Sequence, residues 1–107
     1  MAMHSTVSTV GGFIVVALDG TVDLAAVGNL HSDLARVIRR HPGERVIVDL
    51  DGIEALDDAG LGVLLGAAAT VRESGGDLEV VCTRASLRGR LERTRFDRAV
   101  AVRAAIT

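Results

Sequence analysis

The chain has 107 residues, 49% hydrophobic and 24% charged, with a formal net charge of −2; this suits a single globular domain spanning 1–107 and excludes a disordered or fibrous chain. Aromatics make up 2%, two Phe with no Trp or Tyr, so base-stacking platforms for single-stranded nucleic acid are not expected. All 12 basic residues are arginine and Cys82 is the only cysteine, which excludes a Walker-type phosphate loop, a Schiff-base lysine, an internal disulfide and a multi-cysteine metal site.

The opening "MAMHSTVSTV" has neither the basic region nor the apolar core of a signal peptide. The uncharged run Ala59–Val71 falls well short of the ~20 apolar residues a membrane span needs. A cytoplasmic protein without membrane association is therefore expected. Thr6–Val10 reads as a short strand that turns at Gly11-Gly12 into Phe13–Leu18, a continuous apolar run typical of a strand buried on both faces. Asp23 is an N-cap for a helix in which Val27, Leu30, Leu34, Val37 and Ile38 recur at helical spacing. Asn29, Asp33, Arg36 and Arg40 face away, and His41-Pro42-Gly43 ends the helix.

Val46–Leu50 is the next buried strand, and "DGIEALDD" reads as the loop after it. A second helix runs from about Asp58 to Ser74 and stops at Gly75-Gly76. Leu78–Cys82 is a strand, Ser86 caps a third helix through about Thr94, and Val100–Val102 is the last strand. This order predicts an α/β fold: a single mixed β-sheet with helices, an initial β-hairpin, then right-handed β-α-β crossovers.

In such a sheet Asp19, Asp49 and Asp51 at strand ends, and Asp23, Asp57 and Asp58 at helix starts, gather at the edge where ligands usually bind. Enzyme readings of that edge fail on missing groups. "VALDGTVD" is similar to the first motif of haloacid-dehalogenase-type phosphatases, but Ala17 stands where the nucleophilic aspartate belongs. A response-regulator receiver needs a lysine, and there is none. Mg²⁺ accepts one or two carboxylates, but the simpler reading is that these acids cap helix N-termini. His4, His31 and His41 show no metal-ligand spacing, and Cys82 reads as a buried, inert thiol. No catalytic residue, metal or cofactor is expected. Residues 84–107 carry seven arginines against Glu92 and Asp97; "RASLRGRLERTRFDR" reads as the solvated face of a short helix rather than a nucleic-acid patch.

The second helix is unusual. Leu61, Leu64, Leu65, Ala68 and Val71 are expected on the sheet, yet the opposite side carries Gly62, Val63, Gly66, Ala67 and Thr70, with no charge before Arg72. Glycine inside a helix costs roughly 1 kcal/mol relative to alanine. Two on the outward side predict a smooth docking surface where another backbone comes close, bounded by Asp57 and Asp58. The competing reading is that loops or the first strand cover that face.

"VIVDLDGIEALDDAGLGVLLGAAATVRESGGDLEVVC" resembles the core signature of STAS domains, specifically the bacterial anti-sigma factor antagonists. Their pattern is an apolar strand ending in Asp-Leu, a loop, Asp-Ser-(Ser/Ala)-Gly-Leu-Gly, an apolar helix and Gly-Gly. "LDGTVDLAAVGNL" is similar to their Gly-x-(Leu/Val)-Asp segment at Gly20 and Asp23. The resemblance runs from about residue 8 to 102. It departs at "RASLRGRLERTRF", which lacks the usual Ser-Pro, and Thr94-Arg95-Phe96 replaces Ser/Thr-Gly-Leu.

The resemblance implies a binding switch rather than an enzyme. The unphosphorylated domain captures an anti-sigma factor that is also a kinase of GHKL type, and phosphorylation of the motif serine breaks the complex. The implied contact set is Asp23, Asp57, Asp58, Ala59, Gly60, Leu61, Gly62, Val63 and Gly66, with Asp58 at the phosphoserine position. Asp58 has no hydroxyl to phosphorylate and supplies about half the −1.5 to −2 charge of a phosphoserine. The switch is thus fixed, either off as a phosphomimic or on with a co-adapted partner. The same apolar helix side could serve a homodimer. The alternative is a STAS ligand- or nucleotide-binding or scaffold module of a signalling or transport complex.

Overall fold

The hairpin forms as the sequence predicts: β1 (His4–Val10) and β2 (Phe13–Val22) pair antiparallel with Val10 opposite Phe13. β3 (Arg45–Leu56), β4 (Asp77–Val81) and β5 (Val102–Arg103) then add in parallel, giving one five-stranded mixed sheet of order β1-β2-β3-β4-β5. Between them lie α1 (Val27–Arg40), α2 (Asp58–Glu73), α3 (Ala85–Arg93) and α4 (Phe96–Ala99). The structure is a computed structural model and describes residues 2–106.

The buried residues of all four helices join Ile14, Val16 and Leu18 of β2, Val46, Val48 and Leu50 of β3, and Leu78 and Val80 of β4 in one core. Strand side chains alternate between faces, so the helices share a single side of the sheet. On the other side Val15, Ile47 and Val81 form a smaller cluster with Phe13 and Ile106. The Arg45 and Arg103 guanidinium groups stand over the Phe13 ring, 4.6 and 5.3 Å from its centre. The central strands are therefore apolar on both faces, as their unbroken hydrophobic runs require.

Several elements differ from the sequence expectation. β3 does not stop at Leu50: the segment expected as a loop continues the strand to Leu56 and pairs with β2, which itself runs to Val22. Two register shifts interrupt this ladder, between Ala17 and Asp19 and between Gly20 and Thr21. Ile53 and Leu56 are buried while Glu54 and Ala55 face solvent, so the period-two signal of a strand is lost. Asp23 caps a 3-10 turn, Leu24–Ala26, that precedes α1. Ser86 lies inside the first turn of α3, where the N-cap position is Arg84. The last strand is shifted to Val102–Arg103 by the short α4, which the left-handed Arg95 (φ 62°) introduces and the buried Phe96 anchors.

The end of α2 follows the glycine-cap pattern. Gly75 adopts φ +88°, and Gly76 donates its N–H to the Val71 carbonyl at 3.0 Å. Arg72 donates to Asp77 at 2.8 Å and to the Ala99 carbonyl at 2.8 Å, holding the Asp77 carboxyl below the usual carboxylate range. A Cβ on Gly76 would run into the backbone carbonyl of Glu44. Gly76→Ala is therefore expected to destabilise the fold by about 1–3 kcal/mol in urea unfolding, because neither backbone has room to yield.

Candidate functional site

Packing fixes which side of α2 is left free. Leu61, Leu64, Ala67, Ala68 and Val71 are buried, whereas Leu65 is 39% exposed. Ala67 and Leu65 thus exchange the places their sequence spacing assigned. The reason is α1, which lies beside α2: Ala67 lines the seam with Leu34 and Ile38. A methyl group fits between two close helices where a leucine would hold them apart. Above the seam is an open groove of about 420 Å³, lined also by His31, Ala35, Ala59, Val63 and Thr70. Among the described residues neither a loop nor β1 covers this face: outside the adjoining α2 backbone and chain neighbours a Cβ at Gly62 or Gly66 would find nothing within 4 Å, and both residues are exposed.

Gly60 is a different kind of glycine. It is buried, and a Cβ there would stand 2.8 Å from Leu56 Cδ1 and 2.9 Å from Val22 Cγ1. Its smallness is required by the chain's own strand–helix contact. Leu61 is also in the core, 5% exposed. Of the expected contact set, Gly60 and Leu61 face inward, Asp57, Ala59 and Val63 are half-buried, and Asp23, Asp58, Gly62 and Gly66 are exposed.

The acids are placed by helix starts. Asp57 has extended backbone (φ −71°, ψ 151°), and its carboxylate accepts the Ala59 N–H at 2.8 Å while its own N–H donates to the Val22 carbonyl at 2.8 Å. That is an N-cap tied to the end of β2. Asp58 is the first residue of α2, where a negative charge meets the positive end of the helix dipole. Its side chain is 84% exposed and accepts from Arg90 of α3 at 2.5 Å. Asp23 accepts the Ala26 N–H at 3.0 Å, and with Thr21, Asp57 and Arg90 it lines a shallow depression beside the α2 N-terminus.

The other acids do not converge there. Asp19 lies within β2, and Asp49 and Asp51 lie within β3 rather than at its end. Asp49 accepts from the Asp51 N–H at 2.9 Å and Asp51 from the Thr83 N–H at 2.7 Å. Among the described residues no group of three or more His, Cys, Asp or Glu is arranged to hold a metal ion. Cys82 is buried, and desolvation pushes its thiol up from the ordinary range, away from the reactive thiolate.

The arginine-rich stretch is more than a solvated face. Arg84 donates to the Ile53 carbonyl, Arg88 to the Cys82 carbonyl at 2.8 Å, and Arg90 to Asp58. These bonds clamp α3 and the segment before it to β3, to Cys82 just after β4 and to α2. The sequence signal for them was the excess of arginine in a C-terminal part facing an acidic remainder; no local spacing names the partners.

These features define a small α/β domain in which the outward side of α2 is exposed, carries no charge from Ala59 to Val71 and is bordered by the cap Asp57 and by Asp58. The chain matches the STAS domain family model over residues 4–106 and belongs to that family. It is 28% identical over 69 residues to an anti-sigma F factor antagonist of Paenibacillus polymyxa, covering 64% of this chain and 59% of that protein, less than two thirds of the relative's length. It is 33% identical over 81 residues to BtrV of Bordetella bronchiseptica, covering 75% of this chain and 67% of BtrV. The crystal structure of an anti-sigma factor antagonist from Mycobacterium paratuberculosis superposes with a TM-score of 0.87 at 21% identity, covering 98% of this chain and 88% of that one. Among the described residues no helix is long and apolar enough to cross a membrane.

Proposed function

We propose that this chain is an anti-sigma factor antagonist that acts by binding, not catalysis, in the cytoplasm. The partner is an anti-sigma factor of GHKL kinase type. It docks on the outward side of α2 (Ala59, Gly62, Val63 and Gly66) and on the corner formed by Asp23, Asp57 and Asp58, with Gly60 and Leu61 holding α2 against β2 and β3. One observation carries this reading. Gly62 and Gly66 weaken α2 by roughly 1 kcal/mol each, yet among the described residues nothing beyond the adjoining α2 backbone and chain neighbours comes within 4 Å of where their Cβ atoms would be. The need for bareness therefore lies outside the chain. The anti-sigma factor antagonists among its relatives agree with it.

Asp58 occupies the place of the serine that such a kinase would modify, so the complex is insensitive to phosphorylation at this position. Incubation with a purified GHKL-type anti-sigma factor and ATP tests both parts. The native chain is expected to bind and gain no phosphate by mass spectrometry, and Asp58→Ser to bind and gain one. Failure of both forms to bind any such factor, with homodimer formation or saturable nucleotide binding instead, would refute the reading.

A further inference from the structure

Asp58 is not a bare charge. Arg90 Nη2 lies 2.5 Å from Asp58 Oδ1, across 32 positions of sequence. The arginine side chain is 29% exposed against 84% for the aspartate, so the cation is held by the fold and the anion is the end offered to solvent. The carboxylates of Asp23 and Asp57 nearby are engaged with the Ala26 and Ala59 N–H groups. Among the described residues Arg90 is the one cation lining the depression they share. The neighbouring Arg84 points elsewhere, to the Ile53 carbonyl.

Resting on the docking reading above, we infer that Arg90 is a built-in counter-charge that neutralises Asp58 and holds this position in the binding-competent state. A phosphoserine would present about −1.5 to −2 to an approaching partner. Asp58 and Arg90 together present about zero net charge, as an unmodified serine does. The field of a closed ion pair also falls off faster with distance than that of a single charge. The switch is thereby fixed on, and α3 of this chain, not the partner, supplies the neutralising group. Arg90 touches no partner atom in this account; it positions and masks the residue that does.

Titration calorimetry with a GHKL-type anti-sigma factor that binds the native chain tests this, with circular dichroism melting as a check that every variant is folded. At low salt Arg90→Gln is expected to weaken binding about tenfold, because a lone rim charge then faces the partner. Asp58→Asn should not weaken binding, because the Arg90 cation it leaves has the sign opposite to a phosphoserine and is 29% exposed. The double variant Asp58→Asn, Arg90→Gln should recover to within about twofold. That rescue would not occur if Arg90 served only to hold α3. The Arg90→Gln deficit should also shrink as salt rises. Native-like binding by Arg90→Gln, or a loss the double variant fails to repair, would overturn the inference while leaving the docking reading in place. If no variant and no native chain binds, the docking reading falls and this inference with it.

Discussion

Gly66→Arg should melt no lower than the native chain and should lose at least about 30-fold in affinity for the proposed anti-sigma factor partner, the scale of a truncated interface hot spot. The two halves of this result have different origins. In the free chain a side chain at position 66 projects into open space, and arginine is a better helix former than glycine by about 0.5–1 kcal/mol. For a domain of this size that corresponds to a rise of about 4–8 °C per kcal/mol. In the proposed complex the same side chain would stand where the partner docks, and its volume and charge would have to be moved aside. Stability and affinity therefore change in opposite directions. A substitution that damaged binding through the fold would move them together. Circular dichroism melting and calorimetric titration of the same preparation separate these cases.

Leu64→Ala and Leu65→Ala form the second pair, and they are expected to differ widely despite being neighbours. Leu64 is 0% exposed in the core, and its truncation should cost about 2–5 kcal/mol. That is a large part of the roughly 5–15 kcal/mol that holds an ordinary domain together, and it should lower the melting point by about 8 °C or more at about 4–8 °C per kcal/mol. Leu65 is 39% exposed and lies outside the groove lining, so its truncation should change stability by no more than about 0.5 kcal/mol. Urea unfolding of both variants checks this directly. Equal losses would mean that α2 is rotated so that both leucines face the sheet.

That rotation marks a limit of what the sequence makes legible. The apolar stripe of α1 was readable because its moment is strong: Leu30, Leu34, Val37 and Ile38 are all buried as their spacing requires. α2 is apolar nearly all round, so spacing alone cannot say whether Leu65 or Ala67 faces inward; only the closeness of α1 decides it. The second half of β3 was hidden for a related reason. Its alternation is broken by two register shifts, and Gly52, Glu54 and Asp57 read as loop chemistry. The four residues of α4 are too few to show a helical period.

The geometry around the proposed site was legible in part. The sequence put Asp57 and Asp58 at the start of α2, where Asp57 is the cap and Asp58 the first helical residue, and the α2 glycines were visible as an anomaly in an otherwise good helix. Gly60 and Gly62 look alike in sequence, yet one packs against Leu56 and Val22 and the other faces open space. Arg90 could not be assigned at all, because its partner is 32 residues away and only the seating of α3 brings the two together.

The most direct test of the account is a single calorimetric titration series, native chain and Gly66→Arg side by side against a purified GHKL-type anti-sigma factor. Saturable binding by the native chain and its loss in the folded variant is the predicted result. Equal binding by the two would contradict the claim that the bare face of α2 is where the partner docks.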